Sequence, residues 1–461
     1  MEDIRTRPIA YPRSLEWPHL LSQALALVYL LVALLAFVFA PFLALRWTGQ
    51  PYLGALLTPN MVFSDGALAG APQSWPLYQN GAVHPGDRLL TVNGYIVRGD
   101  AELRAALARS PQGGDVSLFV VDPRGRVSYV EAPLVRFPGS GMAGFYLPYL
   151  IGLLYLSAGV WVFSIRRDTP AGRAFTLFSV SMALALGLLF DLYTTQRLDG
   201  LWAASLAVMG GSAVALALTF PRQDPLAQRR PLAAGLVALA AALPGGYTLV
   251  SLHSGMPPLA FTQALQFERI FLPAALLACL VGWMVRRQTS ASAAERRQVR
   301  LIGLGALASL LPPLLGLLAV TLGGGSFSPY LLLSLAVFPL VGGYTVQRYR
   351  LLQADMALSL GASYGLLAVL VSVGYALIAA GLGLALGRLI APTSPLFQGL
   401  IFFVLAMALI PLRESIQRTV DGVFFRGKQV YQARLLEFSG ALTRTADLPG
   451  IARLLRGYAA Q

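Results

Sequence analysis

The chain is short of nearly everything that active-site chemistry draws on. It has one cysteine, Cys279, among 461 residues, so neither an internal disulfide nor a multi-thiolate zinc site can form, and the redox compartment stays open. Its three histidines, His19, His84 and His253, are scattered. None has the four-residue spacing that turns two imidazoles of one helix toward a single metal. Lysine occurs once, at Lys428, so the basic charge is almost all arginine. Charged residues amount to 12%, about half of what a soluble chain carries. There is no phosphate-binding loop and no dinucleotide fingerprint. Gly210-Gly-Ser212 puts a serine inside an apolar run, but no histidine lies in any such run, and small residues there read as helix-packing contacts. No catalytic set, metal site or cofactor motif is present.

Hydrophobic residues are abundant. At 56% of the chain, with a mean hydropathy of +0.64, they set the class as a membrane protein. Ten stretches are apolar enough to cross a bilayer as helices, some of them a few residues short: Leu21–Leu45, Phe145–Ile165, Phe175–Asp191, Leu201–Phe220, Leu232–Val250, Ile270–Val285, Leu301–Val320, Tyr330–Val346, Tyr364–Leu386 and Phe397–Leu412. The first is too long for a signal-peptide core and has Pro41 after Ala40. It reads as an uncleaved signal anchor behind a cytoplasmic N-terminus of residues 1–20.

The net charge of +14 sits in short loops and not on one polar face, which argues against nucleic acid as a partner. Arg5, Arg7 and Arg13 share a side with Arg166, Arg167, Arg173, Arg222, Arg229, Arg230, Arg286, Arg287, Arg296, Arg297, Arg300, Arg348 and Arg350. The short connections on the opposite side hold little beyond Arg197 and Arg388, with Arg269 at a helix edge. Positive charge marks the cytoplasmic side. The expected protein is a multi-pass component of a bacterial cytoplasmic (inner) membrane, with both termini inside and residues 46–140 outside.

That insert has soluble composition and short β-prone runs between turn residues: Met61–Ser64, Arg88–Val92, Tyr95–Val97, Val116–Val121 and Arg126–Ala132. Asp122-Pro-Arg-Gly125 is a turn sequence. A helix is expected near Ala101–Ser110 with Asp100 as its N-cap. The stretch Ala82-Val-His-Pro-Gly-Asp-Arg-Leu-Leu-Thr-Val-Asn-Gly-Tyr-Ile-Val97, followed by Asp100-Ala-Glu-Leu-Arg-Ala-Ala-Leu107, resembles a PDZ domain. Pro51-Tyr-Leu-Gly-Ala-Leu56 is similar to the loop with which bacterial PDZ domains hold a peptide's terminal carboxylate. The resemblance implies a groove that takes an extracellular peptide or protein C-terminus by strand addition. Tyr52, Leu53, Gly54, Ala55 and Leu56 form one wall, and Leu103, Ala106 and Leu107 the other. The competing reading makes these apolar residues plain domain core. Site-two proteases also carry PDZ domains among membrane helices, but the His-Glu-x-x-His pair they need is missing.

Ionisable residues near membrane level have a cost and usually a reason. Asp191, Glu268 and Arg269 fall at expected outer helix ends, where an Asp191–Arg269 or Glu268–Arg269 pair would shape an outward ligand pocket. The alternative is that these termini simply touch water.

The order of parts resembles the membrane input region of bacterial sensor histidine kinases, especially competence-type quorum-sensing receptor kinases and relatives with an extracytoplasmic PDZ insert. The resemblance is carried by Leu218-Thr-Phe-Pro-Arg222, Glu295-Arg-Arg-Gln-Val-Arg300, Gln347-Arg-Tyr-Arg-Leu-Leu-Gln-Ala-Asp355 and Pro411-Leu-Arg-Glu-Ser-Ile-Gln-Arg-Thr-Val-Asp-Gly-Val-Phe-Phe-Arg426, with Tyr431–Leu448 as the linker. Residues 145–412 would be a nine-helix sensor bundle and 413–446 a cytoplasmic signalling helix, in which Leu435, Phe438 and Leu442 have coiled-coil spacing. Residues 447–461 read as the start of a truncated GAF-like or kinase-linked domain. No histidine follows the tenth span, so a phosphoacceptor and ATP site would belong to an output domain beyond Gln461. The expected fold is a polytopic α-helical membrane protein of about ten helices with an inserted PDZ-like α+β domain. Its expected partners are a peptide, membrane lipid, a second copy in a homodimer and a kinase output domain. A transporter or channel with a PDZ regulatory domain and a non-signalling envelope scaffold are the alternatives.

Overall fold

A computed structural model describes residues 16–64, 75–79, 81–110, 114–137, 142–220, 224, 228–253, 257–290, 293–323 and 327–348. The expected spans Tyr364–Leu386 and Phe397–Leu412, and everything after them, lie outside the described residues. Among those residues, six helices are long and apolar enough to cross a membrane, the architecture of a polytopic helical membrane protein.

Helix α1 (Glu16–Thr48) runs 33 residues, about 50 Å at 1.5 Å per residue. Ala26, Leu30, Ala33, Phe37, Ala40 and Ala44 recur every three or four positions and are buried. Leu21, Leu25, Val28, Leu35 and Phe39 on the other faces stay exposed, as a lipid-facing surface would. The small alanines let neighbouring helices come close.

The insert follows. It contains β1 (Pro51–Tyr52), β2 (Leu57–Thr58), β3 (Val62–Phe63), a short helix α2 (Pro76–Gln79), β4 (Arg88–Val92), β5 (Tyr95–Ile96), α3 (Asp100–Ala108), β6 (Asp115–Val121), β7 (Val127–Pro133) and β8 (Val135–Arg136). An antiparallel sheet has the order β2-β3-β4-β6-β7, with β5 folded back on β4, and β1 pairs with β8 to close the insert at its two ends. Asn93 and Gly94 both take positive φ, 49° and 79°, as the tight turn between β4 and β5 requires. Along β6, Val116, Leu118 and Val120 face the core in strict alternation. In β4 both Leu89 and Val92 are buried, because the register with β6 shifts between Leu89 and Thr91. The extra residue re-aims the strand. The cap of α3 differs from expectation. Gly99 is the N-cap and Asp100 the first helical residue, while Glu102 accepts from the Arg98 amide at 2.5 Å. Asp100 instead pairs with Arg104 one turn on.

The bundle comprises α4 (Ala143–Arg166), α5 (Pro170–Gly187), α6 (Leu189–Tyr193), α7 (Asp199–Thr219), α8 (Pro231–His253), α9 (Leu259–Ser290), α10 (Ala293–Gly323), a 3-10 segment Pro329–Ala336 and α11 (Val337–Arg348). The six apolar helices are α1, α4, α7, α8, α9 and α10. The expected third span appears as α5 plus α6, broken at Leu188. Helix α5 is the innermost. Thr176, Ser179, Val180, Ser181 and Ala183 are all fully buried. Thr169 caps its start, accepting from the Gly172 amide at 3.1 Å, and Tyr29 of α1 bonds Ser181 at 3.0 Å. Helices α7 and α8 touch backbone to backbone. A Cβ on Gly210 would lie 2.1 Å from the Ala241 carbonyl, and one on Gly245 would lie 2.3 Å from the Ala207 amide. The Ser212 hydroxyl donates to the Val208 and Met209 carbonyls of its own helix, consistent with a packing role.

Candidate functional site

The expected peptide-holding residues divide between two cores. Leu53 and Ala55 pack inside the insert with Leu103, Ala106 and Leu107, whereas Tyr52 and Leu56 join the core of the helix bundle. Successive side chains of an extended segment point opposite ways, so one short stretch of chain binds both bodies. Burial raises the Tyr52 phenol above its ordinary range and keeps it neutral. Gly54, at φ +85°, makes the turn between these residues; a Cβ there would meet the Leu77 amide at 3.2 Å.

The seam is aromatic. Trp47 at the end of α1 meets Tyr52, Phe137 and Phe190 edge-on, with ring centroids 5.7, 5.0 and 5.7 Å away. Phe190 in turn contacts Phe145 of α4 at 5.4 Å. Both ends of the insert and helices α1, α4 and α6 therefore meet at one cluster, where edge-to-face pairs add about 0.5–1.5 kcal/mol each beyond their burial.

A cleft lies between the Leu53–Leu57 segment and α3. Strand β2 is the edge of its sheet, so its outer backbone groups are open to another chain. The cleft is filled. Tyr193 at the end of α6, with Thr194 and Gln196 from the connection to α7, lines it together with Leu53, Leu57, Leu103 and Leu107. The Gln196 amide donates to the Leu57 carbonyl at 3.2 Å, and Arg104 of α3 donates to the Thr195 carbonyl at 3.4 Å. The free volume left is about 30 Å³, room for about two waters against the roughly 300 Å³ or more of a ligand pocket.

Asp191 holds this connection in shape. Its carboxylate accepts from the Thr195 hydroxyl and from the Leu198 amide at 2.8 Å. Its carbonyl accepts from the Thr194 and Gln196 amides at 3.1 and 2.8 Å. The loop is tight enough to put Gln196 at φ 51°. Asp191 is thus buried and engaged with its own loop. Glu268 is buried on α9 on the stripe of Phe261, Ala264, Leu265 and Leu276, and neither carboxylate oxygen has a hydrogen-bond partner among the described residues. Arg269 beside it is half-buried. Burial lowers the proton affinity of the Arg104 guanidinium; nearby Arg197 lowers it further and Asp191 opposes both.

Sequence reasoning passed over Gln196, Thr195 and Arg104. The only hint was an uncharged Thr-Thr-Gln stretch joining two spans, and nothing local says that it reaches 139 residues back to Leu57.

A second space of about 380 Å³ lies within the bundle, lined by Tyr155, Phe178, Leu216, Cys279, Trp283 and Phe338, with Arg166 and Thr169 also on its wall. It is mostly apolar. No cluster of three or more histidine, cysteine or acidic residues is arranged to hold a metal among the described residues.

No protein-family model matches the chain, and no curated protein or solved structure matches it.

Proposed function

We propose that the chain is the sensory module of a membrane receptor. Its insert, read as PDZ-like, takes an extracytoplasmic peptide or protein C-terminus in the cleft between Leu53–Leu57 and α3. The helices relay the event to a cytoplasmic output of the histidine-kinase type, in cis or through a partner, with the module acting as a homodimer. In this reading the insert faces outward from a bacterial inner membrane and both termini lie in the cytoplasm, as the arginine bias supports.

The observation that carries the proposal is the shared wall: Tyr52 and Leu56 belong to the bundle core while Leu53 and Ala55 belong to the insert core. Whatever shifts this segment shifts both. A ligand moves such an equilibrium only by its preference for one arrangement. The test is a spin-label distance between Tyr95 on the insert and Leu232 at the start of α8, in nanodiscs, with and without peptides selected on the protein. A change on binding supports a receptor; binding with an unmoved bundle leaves only a scaffold.

Glu268 favours a second reading, since a bundle-facing carboxylate suits ion-coupled transport. Transport into proteoliposomes that vanishes in Glu268→Gln and survives loss of peptide binding would replace the receptor reading.

A further inference from the structure

We propose that the α6–α7 connection is a tethered ligand: Tyr193–Gln196 occupies the insert's cleft in cis, and an extended peptide bearing an anionic group activates the protein by displacing it. This rests on the peptide-receptor reading and adds the resting state, the displaced segment and the chemistry of the competitor.

The loop fills the place of a peptide. An added strand would donate backbone N–H groups to the open edge of β2, and the Gln196 primary amide donates to the Leu57 carbonyl on that edge. On the opposite wall, Arg104 donates to the Thr195 carbonyl. The cleft has no room for a second chain, since only about 30 Å³ remains. Loop and competitor are therefore mutually exclusive.

The occupant is imperfect in one respect. From the loop Arg104 receives only a neutral carbonyl; its carboxylate partner is Asp100 of its own helix, and the like charge of Arg197 is nearby. A carboxylate accepts a charge-assisted hydrogen bond roughly twice as strong as a neutral one and would offset the repulsion between the two guanidiniums. This favours a terminal carboxylate or an acidic side chain on the incoming peptide.

The loop is also the direct link between α6 and α7. Tethering holds it near the cleft at an effective concentration of about millimolar, so a free peptide competes with a permanently present rival. Its apparent Kd is raised by the reciprocal of the open fraction. Asp191, Thr195 and Gln196 leave as one unit, because Thr195 and Gln196 both donate to Asp191 within the loop.

The test uses the full chain in nanodiscs. Gln196→Asn keeps a residue tolerant of positive φ but shortens the side chain by one methylene, out of reach of Leu57. Trypsin cleavage after Arg197 reports loop opening, since proteolysis tracks the open population when reclosing is fast. Expected is about three- to tenfold faster cleavage in Gln196→Asn, as for loss of one hydrogen bond. Peptides from a carboxy-terminally displayed random heptapeptide library should bind that variant more tightly by the same factor. Arg104→Gln should also speed cleavage but remove any preference for acidic peptides. Unchanged cleavage in both variants overturns the proposal. Faster cleavage with equal peptide affinity overturns it too, and leaves the peptide-receptor reading standing. A library that enriches nothing on either protein overturns both.

Discussion

Two glycines on facing helices set how closely α7 and α8 approach, and replacing them should give strongly non-additive effects. In Gly210→Ala the new Cβ would start 2.1 Å from the Ala241 carbonyl oxygen, and in Gly245→Ala 2.3 Å from the Ala207 amide nitrogen. Ordinary contact begins near 3.4 Å, so the helices must part by about 1.3 Å in the first case and about 1.1 Å in the second. Both obstacles are backbone, which cannot rotate away. A gap of this size forfeits about half or more of each dispersion contact it opens, and in lipid such contacts are the main force between helices. Each single change should cost about 1–3 kcal/mol. One separation relieves both clashes, so the double variant should cost little more than the worse single one, a coupling of about 1–2 kcal/mol. Gly246→Ala is the control, because nothing lies within 4 Å of a Cβ there. Detergent-induced unfolding in mixed micelles reads all four proteins. Additive losses, or a loss in Gly246→Ala equal to the others, would refute close backbone approach as the basis of this interface.

Trp47→Ala should loosen the insert from the bundle, costing about 2–3 kcal/mol at the seam, less than for a fully buried tryptophan because Trp47 is half-buried. Hydrogen exchange should rise at residues 51–58 but not in β6 and β7; a uniform rise would mean that the seam is not a separate unit. Glu268→Met replaces a buried carboxylate whose oxygens have no hydrogen-bond partner among the described residues by an apolar chain of similar shape, and should stabilise the bundle by about 1–3 kcal/mol. A lower melting temperature would show instead that the carboxylate is held. Asp122 accepts from the Arg126 amide and guanidinium, both at 2.8 Å, and from the Arg124 amide at 2.9 Å. Its proton affinity is lowered, chiefly by the Arg126 amide. A carboxylate depressed in the folded state stabilises above its unfolded value of about 3.9, and that contribution is lost as pH falls through the lower folded one. Exchange protection of the turn should drop across that acid range in the native chain and show no such step in Asp122→Asn.

How much the sequence discloses depends on how local the cause is. The β4–β5 hairpin is legible because Asn93-Gly94 demands one turn geometry, and β4 falls at Arg88–Val92 as its composition implies. Helices α1, α4 and α7 to α10 follow from apolar length alone. Helix α5 is less plain, since its hydroxyl residues lower its hydropathy; they are tolerated because α5 is surrounded by other helices and not by lipid. The 3-10 segment Pro329–Ala336 interrupts the expected eighth span, and the sequence marks only its opening proline. Tyr52 to Leu56 read as one apolar set, but their division between two cores depends on where the bundle sits. The Gln196–Leu57 bond depends on tertiary geometry entirely.

The filling of the cleft has a consequence for synthesis. The insert closes when β8 pairs with β1 through Arg136, yet the segment that fills its cleft ends at Gln196, 60 residues later (196 − 136). At about 5–20 residues per second the ribosome needs roughly 3–12 s to make that interval. During that time a folded insert stands with its edge strand bare. Newly made copies close together on one membrane could offer that edge to each other. A chain that stalls before Gln196 would keep it bare indefinitely, and its insert would be the sticky part of the product.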